Sequence, residues 1–291
     1  MKTSTSKRLR WNVAIWLAAG LFMTSTAGMA SGPILPNPKA EARHQPQVEE
    51  TANGISLVNI TAPSSGGVSR NEYETFNVPD KGAILNNSYT LSKTELAGYV
   101  QGNNNMAERP AKIIVNEVTG TGSTSMDGFL EVAGNRADVV IANPNGITVN
   151  GGGFINTGKA FLTTGKPVYD GEDHLQRFDI TGGDILIEGK GLGGKETGSL
   201  AILSRAVKIN AGIWAKDLHI TTGANTVDAK TLEASAIEGK GERPAFALDT
   251  AAIGGMYAGR ITLVGTEKGL GVNNSGTWSA EETSPLTGTA T

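Results

Sequence analysis

Residues 137–165 read ADVVIANPNGITVNGGGFINTGKAFLTTG. Apolar runs of strand length alternate with Asn and Gly, and no helical period develops. The same texture extends in both directions. Ile113–Val115, Val139–Ile141, Ile147–Val149, Ile185–Ile187, Ala206–Ile209, Leu218–Ile220 and Ile261–Leu263 are short runs rich in Val, Ile and Leu, bounded by Gly, Asn, Asp or Thr. Only Ser92–Tyr99 is expected to form a helical turn, so the chain reads as all-β.

A hairpin sandwich and a parallel β-solenoid compete for this pattern, and an internal repeat separates them. NAGIWAKDLHITTG (210–223) aligns with IGGMYAGRITLVGT (253–266). Gly212 falls on Gly255, Trp214 on Tyr257, Ala215 on Ala258, Leu218 on Ile261 and Ile220 on Leu263, an offset of 43 residues from 212 to 255. A solenoid coil takes about 20 residues, so the offset fits two coils stacked in register, with inward positions repeating and outward ones drifting. The inward set is then Ile147, Val149, Leu218, Ile220, Ile261 and Leu263. Corners recur in every coil, and they need residues that tolerate left-handed backbone, which Gly does freely and Asn better than most. Asn143-Pro144-Asn145-Gly146 reads as such a corner: Pro144 pre-sets φ, and Asn145 or Gly146 accepts positive φ. Stacked Asn amides can also hydrogen-bond along the solenoid axis.

The N-terminus reads as an address. Lys2, Lys7, Arg8 and Arg10 precede a mostly apolar stretch from Trp11 to Phe22, and Gly28-Met29-Ala30 offers small residues for a signal peptidase. Residues 1–30 therefore form a signal peptide handed to the Sec machinery, with cleavage between Ala30 and Ser31. The apolar run is shorter than the roughly 18–20 residues of a membrane span. Residues 31–50, with Pro33, Pro36, Pro38 and Pro46, are expected to be a flexible spacer, and structure to begin near Gly54. One domain over 51–280 and a polar tail or truncation point at 281–291 complete the organisation. A net charge of −3 argues against nucleic acid, and the absence of cysteine from an exported chain leaves cohesion to core burial.

Seven blocks carry a resemblance. VNITAPSSGGVSRNEYETFNV (58–78), NNNM (103–106), IIVNEV (113–118) and ANPNGI (142–147) come first. GGFINTGKAFLTTG (152–165), SRAVKINAGIWAKDLHITTGANTVD (204–228) and ALDTAAIGGMYAGRITLVGTEKGLGV (247–272) follow in order. Together they resemble the N-terminal secretion domain of two-partner-secretion exoproteins, the filamentous-haemagglutinin-like family. The resemblance implies a right-handed parallel β-helix, capped near its N-terminus and decorated by extra-helical β-hairpins. It implies recognition by the POTRA domains of a cognate TpsB-type outer-membrane transporter of the Omp85 superfamily, in a Gram-negative-type envelope. The exoprotein would then act at the cell surface or in the medium as an adhesin, a haemagglutinin or haemolysin, or the stalk of a contact-dependent growth-inhibition toxin, with a host-cell or bacterial surface receptor as second partner. It assigns the turn motifs Asn103, Asn105, Asn143, Pro144, Asn145 and Gly146, and the block Asn116, Glu117 and Val118, to recognition or to the turn itself. Asn103-Asn104-Asn105-Met106 lacks the family's usual proline and leucine, which predicts a looser turn.

The competing class is a carbohydrate-active β-helix enzyme, which needs clustered carboxylates and a nearby base. The densest acidic patch, Asp170, Glu172 and Asp173 beside His174 and Arg177, reads as a solvated hairpin loop. His44, His174 and His219 show no ligand spacing, so no metal, cofactor or catalytic residue is expected.

Overall fold

The computed structural model describes residues 32–107, 109–282 and 287–288; the signal-peptide residues, Ala30 and Ser31 included, lie outside them. Three ladders of parallel strands wrap one core. On face one, Ser56–Asn59, Ala83–Asn87, Phe129–Gly134, Gly152–Ile155 and Leu192–Gly194 pair in turn. On face two, Val68–Phe76, Ile113–Val118, Ala137–Ala142, Thr157–Thr163 and Ser199–Ser204 do the same. The long strands Gly212–Thr222 and Gly255–Gly265 continue both ladders. Face three stacks Thr124–Met126, Ile147–Val149, Asp184–Ile187, Ala206–Ile209, Phe246–Thr250 and Gly271–Asn274. This is the parallel β-helix that the resemblance implied.

Strand alternation sends every second side chain inward, and in-register stacking lines those side chains into rows. Ile114, Val139, Ala160, Leu200, Leu218 and Ile261 form one row. Ile147, Val149, Leu218 and Ile220 are at most 2% exposed, while Ile261 and Leu263 are partly buried against the same core. Towards the N-terminus a neighbouring row changes chemistry. Ile220, Ile202, Leu162 and Ile141 give way to Asn116 and then Asn71, both fully buried. Asn71 Nδ2 donates to Val115 O (3.2 Å) and Asn116 Nδ2 to Val140 O (3.1 Å), each reaching one coil along the axis. Tyr73 closes the set by donating its hydroxyl to Asn116 Oδ1 at 3.0 Å.

The repeat read from the sequence is the register of two adjacent strands: Gly212 pairs with Gly255, Trp214 with Tyr257, Leu218 with Ile261 and Ile220 with Leu263. The offset of 43 is a single step of the ladder, not two coils. Steps range from 18 residues, Leu200 to Leu218, to 47, Leu85 to Val132. The long ones contain excursions that leave the helix. Ser92–Thr94 and Gly98–Val100 form an antiparallel hairpin, where the sequence suggested a helical turn. Gly98 takes φ +71°, and Thr94 Oγ1 both donates to Gly98 O (2.8 Å) and accepts from Ala97 N (3.1 Å), which closes the chain back on itself. Glu131 fastens this hairpin by accepting the N–H groups of Glu95 (2.7 Å) and Leu96 (2.9 Å). A second hairpin, Lys166–Tyr169 with Leu175–Ile180, joins Asn225–Asp228 and Ala234–Ala236 in a four-stranded antiparallel sheet. Phe178, Ile180 and Val227 of that sheet cover Val115, Val140, Phe161, Ala201 and Leu203 on the outer side of face two.

Of the expected flexible spacer over 31–50, the described residues from 32 onward are instead the N-terminal cap. Ile34–Pro36 pairs antiparallel with Val68–Phe76, and Gln47–Glu50 pairs antiparallel with Ser56–Asn59. Between them Ala42–His44 forms a 3-10 turn with His44 buried. Proline is tolerated because Pro36 ends its strand, where no ladder donor is lost. Order is therefore present well before Gly54. At the other end, Thr277–Glu282 and Thr287–Gly288 pair with Gly255–Gly265, so the described part of the expected tail belongs to the ladder.

Candidate functional site

The Asn143–Gly146 corner links the strand Ala137–Ala142 on face two to Ile147–Val149 on face three. Gly146 N donates to Asn143 O (3.1 Å), closing a four-residue turn, and Asn145 N donates to Asn143 Oδ1 (2.9 Å), as an Asx turn does. Positive φ falls on Gly146 (+110°), not on Asn145. Both amides point into the protein's own backbone. Buried Asn143 Nδ2 donates to Gly122 O (2.9 Å) and Thr124 Oγ1 (3.0 Å), and Asn145 Nδ2 to Gly120 O (2.9 Å). The corner thus satisfies loop carbonyls that follow the preceding coil's strand. Pro144 and Asn145 are exposed on their remaining sides.

Asn103–Met106 repeats this wiring without a proline. Asn105 N donates to Asn103 Oδ1 (2.9 Å) and Met106 N to Asn103 O (3.1 Å). Asn103 Nδ2 reaches Ile60 O and Asn86 O, both at 2.9 Å, and Asn105 Nδ2 reaches Ile60 O at 3.1 Å. The turn is not looser than its counterpart, because the asparagines, not proline and leucine, supply its bonds. Met106 is fully buried in the main core.

Asn116, Glu117 and Val118 lie beside the first of these corners, since Glu117 pairs with Ala142, the residue before Asn143. The Asn103 corner sits elsewhere, at the end of face one. Val118 is core, Asn116 is in the inward row, and Glu117 faces outward yet is only 4% exposed. Burial raises the Glu117 carboxyl above the ordinary carboxylate range, against the opposing pull of Arg70.

Glu117 opens onto a charged cluster that sequence reading did not assemble. Arg70 Nη2 lies 2.9 Å from Glu72 Oε1, and Arg70 Nε lies 3.3 Å from Glu117 Oε2. The second pair is in Coulombic range but is not aligned as a hydrogen bond. The Arg70 guanidinium sits 4.4 Å from the centre of the Tyr169 ring. His44 Nδ1 is 3.2 Å from Glu72 Oε1 and its Nε2 is 3.5 Å from Asp173 Oδ2; Arg43 also pairs with Asp173. Cap, first coils and second hairpin therefore meet around one cavity of about 200 Å³ lined by Arg43, His44, Arg70 and Asp173. The acidic patch read as a solvated loop is only partly that. Glu172 and Arg177 are exposed, and Asp170 Oδ1 caps the turn through Glu172 N and His174 N, but Asp173 docks on the cap. The available signal was Arg70 and Glu72 two residues apart on one strand, hence on one side of it. Among the described residues no group of three or more His, Asp or Glu is arranged to hold a metal.

A family model described as "TPS secretion domain" matches residues 33–290. The chain belongs to the TPS secretion domain family. The secretion domain is 47% identical over 249 residues to "Toxin CdiA" of Yersinia pestis, and 47% identical over 249 residues to "16S rRNA endonuclease CdiA" of Enterobacter cloacae. It is also 42% identical over 243 residues to "tRNA nuclease CdiA-2" of Burkholderia pseudomallei. These alignments cover 83–85% of this chain, which spans 8% of the length of each of these curated relatives. Among solved structures the secretion domain is similar to the "filamentous hemagglutinin secretion domain", with a TM-score of 0.77 and 35% identity over 86% of this chain and 84% of the other.

Proposed function

We propose that this domain is the secretion signal of a larger exoprotein, recognised in the periplasm by the POTRA domains of a cognate TpsB-type outer-membrane transporter. The observation that carries the reading is the family match, which runs from the N-terminal cap through the last described coils. The Asn103, Asn105, Asn143 and Asn145 motifs serve it mainly as architecture, because each amide is bonded to the chain's own backbone. Entry to the periplasm through the Sec machinery is assigned to residues 1–30, with release between Ala30 and Ser31. The curated relatives are named as toxins and nucleases, which favours delivery of a contact-dependent toxin over adhesion or haemagglutination as the task of the complete exoprotein. The domain itself takes no catalytic part. Co-expression with its transporter tests this: the chain should reach the medium with the transporter and stay in the periplasm without it. Equal amounts in the medium in both cases would sink the reading, and reducing-sugar release from acidic polysaccharides would revive the enzyme.

A further inference from the structure

The hairpin Lys166–Tyr169 with Leu175–Ile180 reaches back to the N-terminus of the domain. Its tip holds Asp173 in the left-handed region, at φ +58°. Asp enters that region more readily than most residues, but such a conformation persists only where the surroundings hold it. Here the cap and the first coil hold it. The Asp173 carboxylate pairs with Arg43, and its oxygens lie 3.5 Å from His44 Nε2 and 3.9 Å from Arg70 Nη1. Ser64 Oγ donates to Asp173 O (3.4 Å), and Ser65 Oγ lies 3.2 Å from His174 Nε2. Arg43 and Asp173 are 130 residues apart in the chain. The cap has little burial of its own: its strands are three and four residues long, and only Ile34 and Val48 of its apolar side chains pack with the main core. The coil beneath it is also weakly held. Asn71 and Asn116 stand in the row where later coils place Ile141, Leu162, Ile202 and Ile220. Its step of 45 residues, Ser69 to Ile114, closes a longer loop than the 18 from Leu200 to Leu218. Less apolar burial and a larger loop-closure cost both make these first coils late to gain stability.

We propose that the tip of this hairpin is a clasp: Asp173 locks the N-terminal cap over the first coil, so the cap closes only after the hairpin has formed and is the first part of the domain to open. The order follows from where Asp173 is carried. Phe178 and Ile180 lay the hairpin on the outer side of face two, over Val115, Val140 and Ala201, and only a hairpin seated there brings its tip to Arg43 and His44. Strands nearer the middle of the stack need no such partner, because their inward rows are aliphatic. On the secretion-signal reading, which this consequence rests on, a chain in transit keeps residues 32–50 open until residues 166–180 have folded.

The test is hydrogen exchange read by mass spectrometry on the whole exported chain in urea below its unfolding midpoint. Residues 34–50 should exchange through a local opening while the strands of 137–163 and 199–222 stay protected. The clasp variant is Asp173→Asn, because Asn keeps the left-handed conformation and removes the charge. The control is Arg177→Gln, which removes a charge from the same hairpin at an exposed pair with Asp179. Asp173→Asn should speed exchange over 34–50 by about tenfold or more and leave 137–163 and 199–222 within about twofold of the parent, and the control should stay within about twofold throughout. Pulse labelling during refolding should protect 166–180 before 34–50. Unchanged exchange over 34–50 in Asp173→Asn, equal acceleration in every segment, or protection of 34–50 ahead of 166–180 would each overturn the clasp. The secretion-signal reading stands apart from all three, since co-expression with the transporter decides it.

Discussion

Single residues decide the corners. Asn143 is fully buried, and its side chain holds four groups: Gly122 O, Thr124 Oγ1, the backbone N–H of Asn145 and the Asn145 Nδ2 amide. Asn143→Ala should therefore lower unfolding stability by about 1–3 kcal/mol, the usual cost of leaving buried partners unsatisfied, as measured by urea denaturation. Gly146 sits at φ +110° with a would-be Cβ 3.1 Å from Asp184 O. A side chain there strains the backbone, so Gly146→Ala should cost about 1–3 kcal/mol on the same assay. Asn145 differs because it is exposed and its φ is not positive, so glycine brings no backbone relief there. Asn145→Ala should lose the hydrogen bonds of its amide to Gly120 O, Gly122 O and Asn143 Oδ1, about 0.5–1.5 kcal/mol at this exposed position, and secretion should fall only as far as stability does. An Asn145→Ala protein with an unchanged melting temperature but no export would make that amide a transporter contact. The Asn-Pro-Asn-Gly pattern was legible as a turn because turn chemistry is local. Which residue takes positive φ, and which carbonyls the amides seek, depend on the coil below and were not.

Whole elements are held by charge at two places, and the two respond to pH with opposite sign. Arg205 is nearly buried and pairs with Glu267 at 2.9 Å, while its Nη1 donates to Lys240 O at 2.7 Å. This ties the loop after Ala234–Ala236 to the last coils. The hydrogen bond from Arg205 holds the Glu267 carboxyl below its ordinary value of 4.5. Its contribution is present above that value and is lost as pH falls through the depressed one. Glu117 is displaced upward by burial. Its effect favours the folded state below the ordinary carboxylate value and is lost as pH rises through the raised one. Urea midpoints between pH 7 and pH 3 should therefore fall less in Glu267→Gln than in the parent, and Glu117→Gln should gain relative to the parent as pH rises. The elements themselves were unevenly legible. Strands on the three faces could be read because their apolar residues point into one core. The cap was missed because Pro33, Pro36 and Pro38 suggest a linker, while the partners that order it lie far along the chain in Val68–Phe76 and at Asp173.

At the scale of the molecule, the fold was readable because stacking forces inward positions to repeat, and Leu218 over Ile261 and Ile220 over Leu263 do so. The length of a step was not readable. A hairpin that leaves between two rungs adds residues without disturbing the register, as the 43-residue step from Gly212 to Gly255 shows. Leu218, 1% exposed, sits in the middle of an aliphatic row, and Leu218→Ala should cost about 2–5 kcal/mol by calorimetry or urea denaturation. The most direct measurement of recognition by the transporter places residues 1–291 ahead of an unrelated reporter. It follows the reporter into the medium with an intact transporter and with one lacking its POTRA domains. Reporter should appear in the medium only with the intact transporter, and should be held in the periplasm when the POTRA domains are removed. Equal release from both strains would contradict that recognition.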